Sequence, residues 1–548
     1  MVNPLYIIII ALGAAFILPL IDRIGRRVSI ILFYAALSAI FAISILWVFW
    51  LISGGSSITV NTAGFEPPFT IPLRMSYMEA WTLTFVNFGA LLGAVFLLKE
   101  IRIHSSRLMA GYLALFLGIN GMVMTRDVFN LFVFMEITLI SSYALIALKR
   151  NSRSLSAGLK YMFAGGLSSA LYLIGTIYLY RVHGTLSIDH IAESGTEYFV
   201  SGSVAVFLLA VAILIELKPF PANGWGLDVY QSADSGISAV IAIGIPAGML
   251  FALNKILPMA DQGLLMAIII LGAVSFVASN FLGLRQTDTR RLLGYSSAAH
   301  IGLVFSTMAA MEYMGERGPM FFYIVGGLFA SHLFAKGGLF WLAGTIGIWK
   351  IEDYKRREIK PVFKFMMAAF FFALIGLPPF PGFWDRWYLL TRFASEGYFL
   401  LILAILAGTL FEAVYLLRWL GCVKTSESDD ATSWSMALRI VPIWLFLGTL
   451  VAGGIFIPFN QAWVSDFIFY PLIAGGLIYA LRDLSSKLRS YLVMFTIVAA
   501  GIYVWPQLHG LTEIFGVIFI AGGLICGTTV VGSENRHPGY FAVWAVLL

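Results

Sequence analysis

Charged residues and cysteine are both scarce in this sequence. Asp, Glu, Lys and Arg make up 12% of its 548 residues, about half of what a soluble globular protein carries. The only cysteines are Cys422 and Cys526, without a Cys-x-x-Cys pair, so neither an iron–sulfur cluster nor a structural zinc site is expected. The net charge of +6 needs no nucleic-acid partner, because the basic residues lie in predicted loops.

Long apolar runs are present instead. Hydrophobic residues make up 60% of the chain, and the runs at 4–21 and 28–52 are each long enough to cross a bilayer as a helix. We predict an all-α polytopic membrane protein with about 14 core transmembrane helices and about three more at the C-terminus. The extra helices are predicted near 467–481, 488–505 and 510–532.

A short motif occurs twice. LIELKPFP at 214–221 and LIGLPPFP at 374–381 share one register. Five predicted spans separate the copies, and an odd number of crossings inverts the second copy relative to the first. Inverted repeats with broken helices are typical of transporters, although chance recurrence of proline at helix ends stays open. The predicted parts are N-terminal helices (1–107), a first five-helix repeat (108–260), an inverted second repeat (261–420) and C-terminal helices for docking a partner (421–548).

Basic residues predict the orientation. Clusters of Arg and Lys follow only odd-numbered predicted spans, whereas the other loops carry single cations or acids. By the positive-inside rule the basic loops face the cytoplasm and the N-terminus lies outside. We therefore expect a multi-pass protein of the cell (cytoplasmic) membrane.

Ionisable residues inside predicted spans are costly and usually functional. Glu136 and Lys218, on two different spans, are predicted to approach each other as a proton station. Pro219 cannot donate a backbone hydrogen bond, which frees a carbonyl one turn before it. A static ion pair that fixes helix packing is the alternative.

Two histidines lie on separate spans. His332 and Lys336 are four residues apart, which places them on one helix face, where they can share a proton. A neutral, hydrogen-bonded His332 is the alternative. His300 either bridges the repeats or satisfies a neighbouring hydroxyl. A haem is not expected, because no second histidine pair is present.

Further charged residues lie in or beside the predicted spans. Glu412 is a candidate final proton station. Arg386 and Asp385 either hold an anion or gate a path inside the bundle, or they are loop residues at the membrane face. Glu216, two residues before the lysine of the first motif, is predicted to point away from it on a helix, and Lys255 is predicted to snorkel at a span end.

Six blocks in order resemble antiporter-like subunits shared by respiratory complex I, Mrp-type sodium/proton antiporters and energy-converting membrane-bound hydrogenases. The likeness covers roughly residues 60–420. The first two blocks lean toward the Mrp D-subunit and hydrogenase branch. The blocks are GFEPPF (64–69), RDVFNLFVFMEITLISSY (126–143), LKPFPANGWGLDVY (217–230), QTDTRRLLGYSSAAHIG (286–302), HLFAKGGLFWLAG (332–344) and GLPPFPGFWDRWYLL (376–390).

The resemblance implies two inverted five-helix units, a hydrophilic axis along the membrane midplane and membership in a large complex, without a redox cofactor in this chain. Glu136 matches the family's fifth-helix glutamate and Lys218 its seventh-helix lysine. His332 and Lys336 match the eleventh-helix pair. Arg386 stands where a twelfth-helix lysine is usual.

Two positions depart from the family pattern. The eighth-helix lysine falls at about Pro246, and Arg386 replaces the twelfth-helix lysine. The segment before the eighth helix reads SADSGISA, with Asp234, instead of the usual Ala-Pro run. A complete proton path through this chain would therefore have to run without lysine at these two positions.

The sequence predicts a proton-translocating membrane subunit, with a sodium-linked variant open, of a multisubunit respiratory or energy-converting redox complex. Predicted partners are other membrane subunits, including further antiporter-like ones, a cytoplasm-facing redox module and the lipid bilayer. No catalytic residue, metal or cofactor is predicted. A subunit of a free-standing Mrp-type antiporter and a structural subunit that no longer pumps are the alternatives. The predicted proton relay consists of Glu136, Lys218, His300, His332, Lys336, Arg386 and Glu412.

Overall fold

A computed structural model describes most of the chain up to residue 459. The described residues are 2–459, apart from 63, 66–69, 104–105, 195–199, 379 and 427–433. The helices predicted near 467–481, 488–505 and 510–532 lie outside the described residues, and so does Pro379 of the second motif.

The N-terminal part combines apolar helices with a small β-ribbon. The helices are α1 (Leu5–Ile21), α2 (Arg26–Ile52), α3 (Tyr77–Phe96) and α4 (Leu98–Ile103). Strands β1 (Ile58–Asn61) and β2 (Pro72–Met75) pair antiparallel between α2 and α3, with Ile58 opposite Met75. A capping box of Ser76 and Glu79 begins α3 and satisfies backbone donors at its first turn.

Two helical units and one further helix follow. The first unit contains α5 (Ser106–Met124), α6 (Val128–Ala147), α7 (Ser152–His183), α8 (Ile188–Ser194), α9 (Val200–Leu217), α10 (Gly224–Ser232) and α11 (Ser235–Ile256). The second unit contains α12 (Gln262–Gly283), α13 (Thr289–Tyr313), α14 (Pro319–Ile346), α15 (Pro361–Ile375), α16 (Pro381–Ser395) and α17 (Phe399–Cys422). The last described helix is α18 (Trp434–Phe459).

The predicted fold class is confirmed. By length and composition, 10 of the described helices can cross a membrane, and shorter apolar helices occur within α1, α9, α15 and α18. The chain is therefore an all-α, polytopic membrane protein. The exact number of core spans stays a prediction, and so do the boundaries of the four parts.

The two units have the same packing order. In the first unit α5 packs on α6, α6 on α7, α7 on α9, and α11 on both α9 and α5. The corresponding pairs in the second unit are α12 with α13, α13 with α14, α14 with α15, and α17 with both α15 and α12. This correspondence supports the predicted five-helix repeat.

Short polar features repeat with the helices. Asp127 caps the N-terminus of α6, and Asp288 caps the N-terminus of α13, each satisfying backbone donors that the first turn leaves free. Each aspartate also forms an isolated β-bridge, Asp127 with Ser187 and Asp288 with Lys350. The units therefore share a frame as well as a packing order.

Lys255 occupies the end of the first unit. It lies in α11 and is buried. Its ammonium donates to three carbonyls at the C-terminus of α5, at 2.7, 2.8 and 2.5 Å, those of Met122, Val123 and Thr125. These carbonyls have no partner inside their own helix end. The prediction that Lys255 snorkels at a span end is therefore wrong.

Arg418 is the counterpart in the second unit. It lies in α17 and donates to the carbonyls of Leu284 and Gln286, which follow α12. Arg418 is bonded in an exposed setting, unlike the buried Lys255. The last helix of each unit thus caps the end of that unit's first helix.

Both Pro-Phe-Pro motifs interrupt a helix, as predicted. The first break runs from Leu217, the end of α9, to Gly224, the start of α10. The second runs from Ile375, the end of α15, to Pro381, the start of α16. Lys218 follows α9 with φ 58°, a left-handed conformation that costs a non-glycine residue roughly 1–2 kcal/mol.

Candidate functional site

The second unit buries one carboxylate among three basic side chains. Glu412 of α17 is fully buried. Its Oε2 lies 2.8 Å from His300 Nε2 and 3.7 Å from Arg386 Nη2. Its Oε1 lies 3.8 Å from Lys336 Nζ. These four side chains, with Ser296, form what we call the second-half cluster.

Hydroxyl groups connect the second-half cluster. Ser296 Oγ donates to Glu412 Oε1 at 2.5 Å and accepts from the Lys336 ammonium. Tyr415 Oη lies 3.4 Å from the same carboxylate oxygen and donates to Asn280 at 2.9 Å. Lys336 and Glu412 are therefore joined through a side chain that both donates and accepts, as a proton route requires.

Arg386 connects the second-half cluster to the helix break. Its Nη2 donates to the Leu374 carbonyl at 2.7 Å, and its Nη1 donates to the Ile375 carbonyl. Both carbonyls belong to the last turn of α15. Arg386 and Asp385 lie inside α16 and are buried, so the interpretation of these two as loop residues at the membrane face is wrong.

The two histidines lie beside each other, with ring centroids 6.0 Å apart. His300 bonds to Glu412 of its own unit, so neither of its predicted roles, bridging the repeats or satisfying a hydroxyl, is correct. Neither ring nitrogen of His332 makes a hydrogen bond with a described atom. Lys336 bonds to Ser296, so a proton shared directly between His332 and Lys336 is not what the structure shows.

His332 faces the first unit. It interacts with the backbone of Ala242 in α11. Pro246 lies inside α11 four residues later and has no N–H to donate to the Ala242 carbonyl. The proline at the position of the expected lysine therefore leaves a backbone acceptor open towards His332.

Lys218 lies at the helix break of the first unit and is buried. Its ammonium lies 5.4 Å from the Trp225 ring centre and 5.5 Å from the Tyr230 ring centre. Its stem passes over Gly226, where a Cβ would lie 2.4 Å from Lys218 Cδ. The ammonium makes no hydrogen bond with any described atom.

Glu136 does not pair with Lys218 as predicted. It is half-buried in α6 and accepts a hydrogen bond from Ser169 of α7. Glu216 of α9 instead interacts with both Lys218 and Glu136. The prediction that Glu216 points away from Lys218 assumed one continuous helix, but α9 ends at Leu217, before the lysine, so helix geometry does not hold the two side chains apart.

The ionisable side chains around Lys218 in the first unit form what we call the first-half cluster. Glu216 is fully buried in this group. Tyr143 of α6 and Tyr161 of α7 interact with Glu216. The members are Glu136, Tyr143, Tyr161, Glu216 and Lys218.

Sequence reasoning missed Ser296 and misread Glu216. Ser296 lies four residues before His300 in α13, and this spacing places both on one helix face, a signal that would have found it.

Among the described residues, no group of three or more His, Cys, Asp and Glu side chains is arranged to hold a metal ion.

Fold and site together define a polytopic membrane protein with a pair of helical units in which five helices correspond, each unit with a broken helix and buried ionisable side chains. Residues 125–412, more than half of the chain, match the family described as NADH:quinone oxidoreductase/Mrp antiporter, TM. The chain belongs to this family.

Curated relatives support the assignment. NADH-quinone oxidoreductase subunit N of Desulforudis audaxviator is 27% identical over 432 residues, which cover 76% of this chain and 85% of the relative. Subunit N 2 of Solidesulfovibrio magneticus is 30% identical over 316 residues, which cover 55% of this chain and 66% of the relative.

Solved structures share the fold. A chain of the archaeal membrane-bound sulfane sulfur reductase has a TM-score of 0.76 at 24% identity, covering 84% of this chain and 96% of the other. A chain of the Mrp complex from Dietzia sp. has a TM-score of 0.71 at 20% identity, covering 82% and 95%. The expected lean toward the Mrp D-subunit and hydrogenase branch stays a prediction.

Proposed function

We propose that this protein is an ion-translocating membrane subunit of a multisubunit respiratory complex, and that protons pass through its two clusters. The observation that carries the proposal is Lys218, a buried ammonium at a helix break that makes no hydrogen bond with the described residues. A group that carries an ion must be able to exchange its partner. A strained backbone at such a residue is consistent with a functional role.

The second-half cluster supplies the rest of the route. Lys336, Ser296 and Glu412 form a continuous line of donors and acceptors, and His300 extends it. Buried ionisable residues of this kind are typical of proton relays in membrane proteins. The Arg386 side chain stays protonated in almost any environment, so its role is to hold Glu412 and the broken helix rather than to carry a proton.

The named relatives and structural neighbours are subunits of larger membrane assemblies. We propose that this chain likewise binds other membrane subunits, among them further antiporter-like ones, and that a redox module on the cytoplasmic side drives it. The N-terminus would lie outside, because the basic loops favour the cytoplasm. A sodium-linked path is a variant of the same proposal.

One observation favours a rival. Pro246 and Arg386 replace two expected lysines, and Arg386 is fixed by carbonyl groups of α15. A subunit that keeps the fold and no longer pumps would also show these features. Substitution of Lys218 separates the two functions.

The test is Lys218→Ala in the whole complex, with proton or sodium uptake into membrane vesicles measured beside redox turnover. We expect uptake to be lost and the complex to assemble, because one buried cation rarely holds so large an apolar bundle together. Lys355→Ala is the matched control, since Lys355 is exposed at a helix connection.

Loss of uptake in an intact Lys218→Ala complex supports translocation through this subunit. Unchanged uptake with both variants would reject it and favour the structural rival.

A further inference from the structure

Glu216 is a buried acid of the first-half cluster to which the proposed function assigns no individual role. Its side chain is fully buried in α9, and neither carboxylate oxygen makes a hydrogen bond of good geometry with a described atom. A buried carboxylate without partners is unfavourable, and buried polar groups that persist without partners call for an explanation. Packing alone does not require an acid here, because an apolar side chain of the same length would fill the same space.

Several ionisable groups from neighbouring elements interact with Glu216. Lys218 follows it at the start of the helix break, Tyr161 approaches from α7, and Glu136 and Tyr143 approach from α6. Gly165 makes room for this approach: a Cβ there would lie 3.5 Å from Glu216 Oε1 and 1.8 Å from Tyr143 Oη. The acid therefore lies among groups able to give or receive a proton.

We propose that Glu216 is the proton-exchange partner of Lys218 in the first-half cluster. Two unsatisfied side chains of opposite charge type, both buried, lie two residues apart at one helix break. The inference rests on the proposed translocation function and assigns the partner of Lys218 within it.

The exchange is a single proton transfer, direct or through water. A Lys218 Nζ–H bond breaks, an O–H bond forms on the Glu216 carboxylate, and the ion pair becomes an amine and a carboxylic acid. The reverse step restores both charges. No oxidant, reductant or other reactant is needed, and either state has zero net charge in a place where net charge is costly.

Glu136 is less suited to this step. It is half-buried and its carboxylate accepts a hydrogen bond from Ser169. Glu216 is deeper and has no such bond. Glu216, the acid nearest in sequence to Lys218, is therefore also the one free to take its proton. Glu136 acts on Glu216 only electrostatically.

The test compares Glu216→Gln with Lys218→Ala in the whole complex, with Glu352→Gln as a matched control on an exposed residue. Glutamine keeps the shape and removes the titrating group. We expect proton uptake to fall by about tenfold or more in Glu216→Gln, in line with the loss of a positioned proton carrier, and to stay unchanged in Glu352→Gln. In infrared difference spectra of working membranes, a carboxyl band should disappear in Glu216→Gln alone.

The outcomes separate the two proposals. Unchanged uptake in Lys218→Ala would reject the proposed function. Loss of uptake in Lys218→Ala with wild-type uptake in Glu216→Gln would reject only the role of Glu216.

A second variant, Glu216→Asp, tests the assignment if the complex with Glu216→Gln does not assemble. Glu216→Asp keeps the acid and withdraws it from Lys218. We expect slower uptake and an altered pH profile of uptake. A wild-type rate and profile in Glu216→Asp would overturn the assignment.

Discussion

The two helical units share their frame and differ in their chemistry. Both have an aspartate cap at the second helix, a β-bridge at that cap and a cation from the last helix on the end of the first. The repeated residues all lie at helix ends. The ionisable residues of the two clusters do not repeat, so the helix frame and the clusters respond to different constraints.

The clusters differ most in how their charges are satisfied. In the second unit Glu412 has three basic neighbours, and Arg386 also satisfies the carbonyls at the end of α15. In the first unit Lys218 and Glu216 are buried without hydrogen bonds to described atoms. One cluster is organised around a fixed carboxylate, whereas the other keeps its charges free to change.

We expect this difference to make the two clusters respond differently to substitution. A bonded cluster can stabilise one arrangement of protons, because each charge has a partner of opposite sign. An unbonded pair at a strained backbone changes state more easily. We therefore expect substitutions in the second-half cluster to affect stability and transport together, and those in the first-half cluster to affect mainly transport.

The largest effect is expected for Glu412→Gln. Removing this carboxylate leaves Lys336 and Arg386 buried without their counter-ion, and breaking a buried charge pair typically costs about 3–5 kcal/mol. Proton uptake should be lost, and the purified complex should melt at a lower temperature. Uptake in vesicles and thermal melting in detergent measure the two effects.

Two controls sharpen this prediction. Glu396→Gln removes an exposed carboxylate that pairs with Arg392 and should change neither quantity. Glu136→Gln removes a half-buried acid from the first unit and should lower the melting temperature less than Glu412→Gln. Equal loss of stability at Glu136 and Glu412 would contradict the contrast between the two units.

Much of the fold follows from the sequence. The apolar runs indicate the spans, and the Pro-Phe-Pro motifs mark both breaks, because proline lacks the N–H that continues a helix. The cost of burying charge also singles out Lys218, Lys336 and Glu412 as residues inside the bundle. These arguments depend on the properties of single residues and short segments, which can be read from the sequence alone.

The pairing of side chains does not follow from the sequence. A continuous helix would direct Glu216 away from Lys218, whereas Lys218 adopts φ 58° just after the end of α9. Lys255 was expected at the membrane surface, but carbonyls of another helix accept its hydrogen bonds. The contact of His300 with Glu412 joins distant parts of the chain, and no local spacing predicts it.

A smaller effect on transport is expected for Pro246→Ala, which tests the contact between the units. Alanine restores an N–H that can bond the Ala242 carbonyl, so the backbone acceptor that is open towards His332 becomes occupied. Proline inside a helix costs about 3 kcal/mol, and the variant should therefore melt at the same or a higher temperature. Proton uptake should nevertheless fall a few-fold.

Pro19→Ala is the matched control for Pro246→Ala. Pro19 also lies inside a helix, α1, away from both clusters. It should leave uptake unchanged. If the two proline variants have the same uptake, the carbonyl of Ala242 has no part in positioning His332.

The smallest effects on transport are expected at Lys255 and Arg418, the two cations that cap the units, and their substitution tests the stability of the shared frame. Lys255→Met leaves three buried carbonyls without a donor, whereas Arg418→Met removes bonds that water can replace. We expect a loss of about 3 kcal/mol for Lys255→Met and about 1 kcal/mol or less for Arg418→Met, with little change in uptake per assembled complex. Thermal melting of both purified variants measures the difference. A larger loss for Arg418→Met would show that burial does not decide the strength of these caps.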